Sequence, residues 1–382
     1  MGHDDAVPAP LASVSTRDRV FIGLALGLAV VTGVAVALGL PSPLVFVLAA
    51  IALAGMASVV GRSVDGLAGR LGPGATGIVQ STLGNLPELF VTIFALQAGL
   101  FTVVQATIVG SILANVLLVL GLAFVVGGLR HGLVRFSAPD AQGIGIMLLL
   151  SVAIISIPGV TSALSTPAAG HERALSVIAA VVMLVVFGLS VFASLRASRR
   201  GTEQAGAERP AAVRSAELEA AVTEEPGHSA WPFGFAVVML AITGIASAFV
   251  SDWFVTALTP TMDTLGISEA FAGLVIVAIA GNAVENVVGI QLAARGQADY
   301  ALQIILQSPL QVAMLVAPVL VLVAPLVGAA TFTLVFPPLL LVALLLAVVL
   351  VLFVVFDGTS NWLEGVVLVG LYAIIAAAFW WG

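Results

Sequence analysis

Two short stretches carry the residues best able to do chemistry: Gly84-Asn85-Leu86-Pro87-Glu88 and Gly281-Asn282-Ala283-Val284-Glu285. Each lies inside a run of otherwise apolar side chains, so each places an ionisable carboxylate near the middle of a segment suited to hydrocarbon. A charge at that depth costs at least ~2.5–3.5 kcal/mol, and no arginine lies mid-run to pair with Glu88 or Glu285. Without a salt bridge, each glutamate has two ways to be tolerated. It can hold a proton, because apolar surroundings penalise the charged form, or it can ligate a cation. A single group that does both in alternation is what an antiporter requires.

The neighbouring residues suit the same chemistry. Asn85 and Asn282 stand three residues before their glutamates and so share a helix face with them. Pro87 cannot donate to the carbonyl of Leu83, and Gly84 loosens the same turn. Carbonyls released at such a break, near Gly84 and Gly281, can coordinate a cation while lining a cavity. The plainer reading is that glycine and proline only permit a kink or close packing, and Pro87 taken alone is read that way. Further on, Ser111 and Asn115 stand four residues apart, and Gln303, Gln307 and Gln311 form a four-residue stripe with Ser308 beside it. Such groups serve either as interhelical glue worth about 1 kcal/mol each or as ligands. Ser111, Asn115, Asn286, Ser308 and Gln311 are carried forward as supporting ligands, whereas Gln303 and Gln307 are read mainly as glue. All these ligands are oxygens, with no cysteine and no mid-run histidine, which argues against zinc, copper or nickel. Ca2+, which accepts about 6–8 oxygens in a flexible shell, leads; Na+, K+ and Mn2+ stay open.

Composition dictates the elements that must position these residues. The 382-residue chain is 60% hydrophobic and 9% charged, with mean hydropathy +1.19. A water-facing surface needs roughly a quarter charged residues, so this is an all-α integral membrane protein. Eleven spans are expected, at about 20–40, 43–61, 76–98, 103–127, 140–158, 173–195, 233–258, 268–292, 301–325, 330–356 and 362–381. No cleavable signal peptide is read, because residues 1–19 are polar and the first apolar run is long enough to span. All thirteen basic residues are arginine. With a cytoplasmic N-terminus, only Arg173 falls outside, the asymmetry that the positive-inside rule demands. An arginine-only complement without processing signals suits a bacterial plasma membrane.

A polar insert at 196–230 carries Glu203, Glu208, Glu217, Glu219, Glu224 and Glu225. Its Ala-rich middle, AAVRSAELEAAV, reads as a short surface helix between linkers, either a plain solvated loop or a cation-sensing regulatory helix. The insert divides the chain into a 1–19 tail, a lone first helix at 20–40, a five-helix unit at 41–195, the 196–230 loop and a second five-helix unit at 231–382. An odd number of spans per unit makes the two units inverted repeats with interrupted helices at their centre, a plan common in secondary transporters. The repeat shows in the residues: GNLPE recurs as GNAVE at an offset of 197, which also carries Gly99 onto Gly296 and Ser111 onto Ser308.

Taken together, GNLPELFVTIFALQAG at 84–99 with VVQATIVGSILANVLLVLG at 103–121 resembles the first motif region of calcium/proton exchangers, the CAX family of the cation/calcium exchanger superfamily. GNAVENVVGIQLA at 281–293 with QSPLQVAMLVAPVLVL at 307–322 resembles the second, and DGTSNWLEG at 357–365 is similar to the start of that family's last helix. The resemblance covers the chain from about residue 60 onwards. It implies a calcium site between two inverted halves, with Glu88 and Glu285 as ligands and proton carriers supported by Asn85 and Asn282, and it equates the insert with the family's acidic helix. The chain departs from the family pattern at Leu86-Pro87 (usually Ala-Thr), at Asn286 (commonly His) and at Gln307-Ser308-Pro309 (usually Gly-Ser-Ser). Asn286 replaces a titratable group, which leaves the coupling ion open between H+ and Na+.

The expected function is secondary active exchange of Ca2+ for H+ by alternating access. Na+-coupled calcium or other cation exchange is the alternative within transport, and a passive cation channel is the alternative from another class. Nothing assembles for hydrolysis: there is no HExxH, no cysteine and no mid-run Ser/His pairing, so no enzyme is expected. The expected partners are Ca2+, H+ and the lipid bilayer, with no nucleic acid and no cofactor; Ca2+ enters as transported substrate.

Overall fold

Inside hydrocarbon a chain must satisfy its backbone polar groups internally, and long apolar runs do so as helices. The computed structural model describes residues 14–71, 83–200, 231–329 and 331–381. The tail at 1–13, the start of the third expected span at 76–82, and the insert from 201 to 230 with its expected surface helix lie outside the described residues.

The first part of the chain forms α1 (Thr16–Ala37), α2 (Ser42–Leu71), α3 (Leu86–Gln97), α4 (Phe101–His131), a two-residue strand β1 (Val134–Arg135), α5 (Ala138–Ala163) and α6 (Glu172–Arg200). The second part forms α7 (Phe233–Leu265), α8 (Glu269–Gly281), α9 (Ala283–Ala294), α10 (Ala298–Val327), α11 (Pro338–Val354), β2 (Thr359–Ser360) and α12 (Trp362–Trp380). Among the described residues eight helices are long and apolar enough to cross a bilayer, or nine if the pair α8 and α9, bent by 65°, is one span. The apolar α3 and α11 are shorter.

Several ends differ from those set by hydropathy. α2, α6 and α7 run past 61, 195 and 258 to Leu71, Arg200 and Leu265. Once a helix exists, each added residue gains a hydrogen bond, so polar residues extend it until a breaker intervenes. For α7 that breaker is Gly266, in the left-handed region at φ 65°. The tenth expected span is shortened instead, because consecutive Pro337 and Pro338 cannot continue a helix towards the N-terminus. The extended segment before it is held by side chains: Gln105 Nε2 donates to the Val335 carbonyl at 2.8 Å, and the Leu334 N–H donates to Ser176 Oγ at 2.9 Å. The chain is also not purely helical. β1 and β2 pair antiparallel, Val134 opposite Ser360 and Arg135 opposite Thr359, a contact too short to leave a periodic signal in the sequence.

α4 is the hub. Of its apolar stretch 83% is buried, against 56% or less in every other long helix, so it is covered on all sides. It crosses α8 at backbone distance: a Cβ added at Gly273 would lie 2.4 Å from the Val103 carbonyl oxygen, and one at Gly110 would lie 2.3 Å from the Leu274 carbonyl oxygen. Large apolar side chains on the outer helices, such as Leu24, Phe192 and Ile374, are exposed as lipid-facing residues must be.

The 197-residue offset reappears in the backbone. α3 and α9 start at Leu86 and Ala283 and end at Gln97 and Ala294. The glycines that follow, Gly99 and Gly296, have φ of 76° and 77°. A π-helical turn interrupts α4 at Ala114–Val119 and α10 at Val312–Val316.

The lone first helix is tied down by charge. Asp18, almost fully buried, pairs with Arg62 of α2 and also accepts from Ser15 Oγ at 2.7 Å. Asp18→Ala strands the partly exposed Arg62 without its counter-charge. The expected loss is on the order of 1–3 kcal/mol, below the usual buried-pair value because water reaches the guanidinium. It is read as a lowered Tm in detergent, with Asp18→Asn, which keeps an acceptor, falling less.

Candidate functional site

The helix break before each glutamate is built by the same local rule. Asn85 and Asn282 take N-cap positions with φ, ψ of −88°, 9° and −103°, 19°, and neither side chain caps its helix. Their carbonyls open the helices instead, accepting from Leu89 N–H at 2.9 Å and Asn286 N–H at 3.0 Å. Glu88 and Glu285 therefore stand in the first turns of α3 and α9, at the positive end of each helix dipole. Pro87 also lies in this first turn, where its missing N–H would have had no partner in any case. The break expected near Gly84 lies at Gly84-Asn85, and Pro87 falls just inside the new helix.

Freed amides of the two asparagines, no longer needed as caps, reach across the molecule. Ser308 Oγ of α10 donates to Asn282 Oδ1 at 3.1 Å, and Asn282 Nδ2 donates to Ser111 Oγ of α4 at 3.1 Å. Ser111 Oγ in turn donates to Glu88 Oε1 of α3. This chain has a fixed polarity, because Ser111 receives a proton from Asn282 and its own hydroxyl proton must point at the carboxylate. Asn85 Nδ2 donates to Gln311 Oε1 at 2.9 Å, a second link between α3 and α10.

Glu88 packs on Gly281, four residues before Glu285: a Cβ added at Gly281 would lie 3.6 Å from Glu88 Cγ. The settings of the two glutamates are unequal. Glu88 is 3% exposed and held by Ser111, while Glu285 is only part-buried as a residue. No arginine pairs with either among the described residues.

What the centre lacks is donors. Glu88 Oε2, Glu285 Oε2, Asn115 Oδ1 and Asn286 Oδ1 are all buried without a hydrogen-bond partner among the described residues. Every one is an oxygen acceptor, and each left unpaired costs about 1–3 kcal/mol. Protons on the carboxylates, or one cation shared by the oxygens, would remove that penalty. Beside Glu88 a small recess opens between α2, α3, α7 and α8, lined by Leu53, Pro87, Val91, Phe254, Val277 and Gly281.

Of the residues singled out from the sequence, Glu88, Asn282, Ser111 and Ser308 join one hydrogen-bonded chain, and Asn85 with Gln311 forms the second link. Asn115 Nδ2 holds the Ser111 carbonyl at 2.9 Å, at the edge of the π-helical turn. Asn286, 8% exposed, makes no bond to the others. Thr92 was missed: its hydroxyl donates to the Glu88 carbonyl at 2.9 Å and braces the first turn of α3. Its four-residue spacing from Glu88 was the available signal. Among the described residues no three His, Cys, Asp or Glu side chains gather, so the acidic content of this centre is the glutamate pair.

Known proteins resemble this chain along nearly its whole length. The pattern of the sodium/calcium exchanger protein family matches residues 41–196 and again 235–381. The Ca2+/H+ antiporter of Synechocystis sp. is 34% identical over 373 residues, covering 96% of this chain and 98% of that protein. The Ca2+/H+ antiporter ChaA of Bacillus subtilis is 34% identical over 340 residues, 89% of this chain and 92% of the relative. The solved structure of native YfkE superposes with a TM-score of 0.76 at 29% identity, covering 94% of this chain and 99% of that one.

Proposed function

The chain belongs to the sodium/calcium exchanger protein family, and from that premise we propose that it is a secondary active antiporter exchanging Ca2+ for H+ by alternating access. The observation that carries the reading is the pair of buried carboxylates, Glu88 and Glu285, each with one oxygen that has no hydrogen-bond partner among the described residues, with Glu88 tied to both halves by the Ser308–Asn282–Ser111–Glu88 chain. Relatives over nearly the whole length bear the name Ca2+/H+ antiporter.

In this mechanism the glutamate pair holds either one Ca2+ or protons. Two carboxylates balance a divalent charge, and Asn85, Asn282, Ser111, Ser308 and the free Asn115, Asn286 oxygens supply neutral ligands. Ca2+ tolerates such an irregular oxygen shell, while Mg2+ demands a strict octahedron. Departure of the cation leaves two like charges in an apolar surrounding, which is relieved only by protonation. Each state excludes the other, and that exclusion couples the two fluxes.

The 41–195 and 231–382 units act as inverted repeats, supported by the shared breaks, π-helical turns and positive-φ glycines. The arginine asymmetry supports a plasma-membrane protein with a cytoplasmic N-terminus, so that inward protons drive Ca2+ out. The test is 45Ca2+ uptake into proteoliposomes under an imposed proton gradient and, separately, an imposed sodium gradient. Proton-driven uptake is the expected result, with Asn286 no obstacle to coupling. Uptake driven by sodium alone would reassign the coupling ion, and no uptake under either gradient would overturn Ca2+ as cargo.

A further inference from the structure

Away from the glutamate pair, at the end of the bundle where α5 and α10 begin, a small solvent-open recess is lined by Phe136, Ser137, Asp140, Asp299, Leu302 and Gln303. Its polar groups are graded by depth: Asp299 is exposed, Asp140 half-buried and Gln303 only 6% exposed. Asp299 Oδ1 accepts from the Ser137 N–H at 2.5 Å. Each aspartate stands in the first turn of its helix, where a carboxylate complements the dipole. That accounts for the aspartates but not for Gln303. Its Oε1 is buried with no partner among the described residues, whereas an amide serving as interhelical glue uses its oxygen.

We propose that this recess is a second cation site, in which Asp140, Asp299 and the Gln303 carbonyl oxygen take a partly hydrated Ca2+ before it reaches the glutamate pair. The carboxylates match a divalent charge, the amide oxygen supplies a neutral inner ligand, and water completes a shell of about 6–8 oxygens. Position on the helix links the recess to the centre. Gln303, Gln307 and Gln311 share one face of α10 at four-residue spacing, and Gln311 bonds Asn85. Ser308, on the same helix, bonds Asn282. The identity of the ion rests on the exchanger reading above.

The test is calorimetric titration of Ca2+ into the purified full chain carrying Glu88→Gln and Glu285→Gln, which disables the central pair. One Ca2+ per chain is expected to remain, and adding either Asp299→Asn or Gln303→Leu should weaken it at least tenfold. Asparagine keeps the acceptor for the Ser137 N–H, so loss of binding in Asp299→Asn reports charge and not unfolding. No Ca2+ bound in the double variant would overturn the proposal, and so would binding that neither added substitution changes. Uptake by the unsubstituted protein separates the two readings. Uptake with a silent recess sinks this inference alone, whereas recess binding without any uptake sinks the exchange reading and leaves the site.

Discussion

Glu88→Gln and Glu285→Gln each reduce Ca2+ uptake at least a hundredfold while the protein still inserts and purifies as a single species. The substitution removes one of two charges that face a divalent ion. At an effective dielectric of about 20 and a separation near 4 Å, a single charge pair is worth roughly 4 kcal/mol, and the ion carries two charges. A hundredfold loss corresponds to about 2.7 kcal/mol, so the expected effect lies well inside what the electrostatics allow. Folding is spared because glutamine is nearly isosteric and keeps an oxygen for the Ser111 hydroxyl in the case of Glu88. It also removes a penalty, since a neutral amide is easier to bury than a carboxylate. The amide cannot carry the returning proton either, so binding and coupling fail together. Initial rates of 45Ca2+ uptake with both variants at matched protein content decide the matter. A variant that keeps more than about a tenth of the unsubstituted rate, against the hundredfold or ~2.7 kcal/mol loss expected, would show that its carboxylate is not a required ligand.

The second large effect is structural. Gly273→Val prevents the α4–α8 crossing from closing, and the protein is expected to lose its monodisperse peak in detergent. Already a Cβ at this position would sit 2.4 Å from the Val103 carbonyl oxygen and 2.8 Å from Ala106 Cβ. The obstructing oxygen belongs to helical backbone, which cannot rotate aside as a side-chain end would. Overpacking of an ordinary core costs about 1–3 kcal/mol, and a backbone clash with a β-branched side chain belongs at or above the top of that range. Gly143→Ala in α5 is the control, because a Cβ there meets nothing within 4 Å. Alanine in a helix is favoured over glycine by up to about 1 kcal/mol, so this variant should hold or raise Tm. A Gly273→Val protein as stable as the Gly143→Ala control would mean that the two helices do not cross at backbone distance.

The membrane character, the approximate place of the long apolar helices among the described residues and the paired glutamates were legible in the residues, because each depends on local properties. Hydropathy over about 20 residues decides whether a segment enters hydrocarbon, and a lone carboxylate in such a segment stands out without any partner being known. The 197-residue offset was legible for the same reason, since matching breakers at matching distances produce matching breaks: Asn85 and Asn282, Gly99 and Gly296. Helix ends were less so. Pro337 and Pro338 cut the tenth helix short, while α6 simply continued to Arg200.

Tertiary structure decided which polar groups meet. Asn282 and Ser111 are 171 residues apart in the chain, Asn85 and Gln311 are 226 apart, and no periodicity within one helix signals either bond. The unequal settings of Glu88 and Glu285 are likewise invisible in two motifs that look alike, because Ser111 serves one carboxylate and its counterpart Ser308 turns to Asn282 instead. The same holds for Gln303, which reads as one more amide in an apolar helix until packing buries its oxygen beside Asp140 and Asp299. The physical reason is range. Apolar length and helix breaks are set by neighbours along the chain, whereas hydrogen-bond partners and buried unpaired oxygens depend on how whole helices settle against α4.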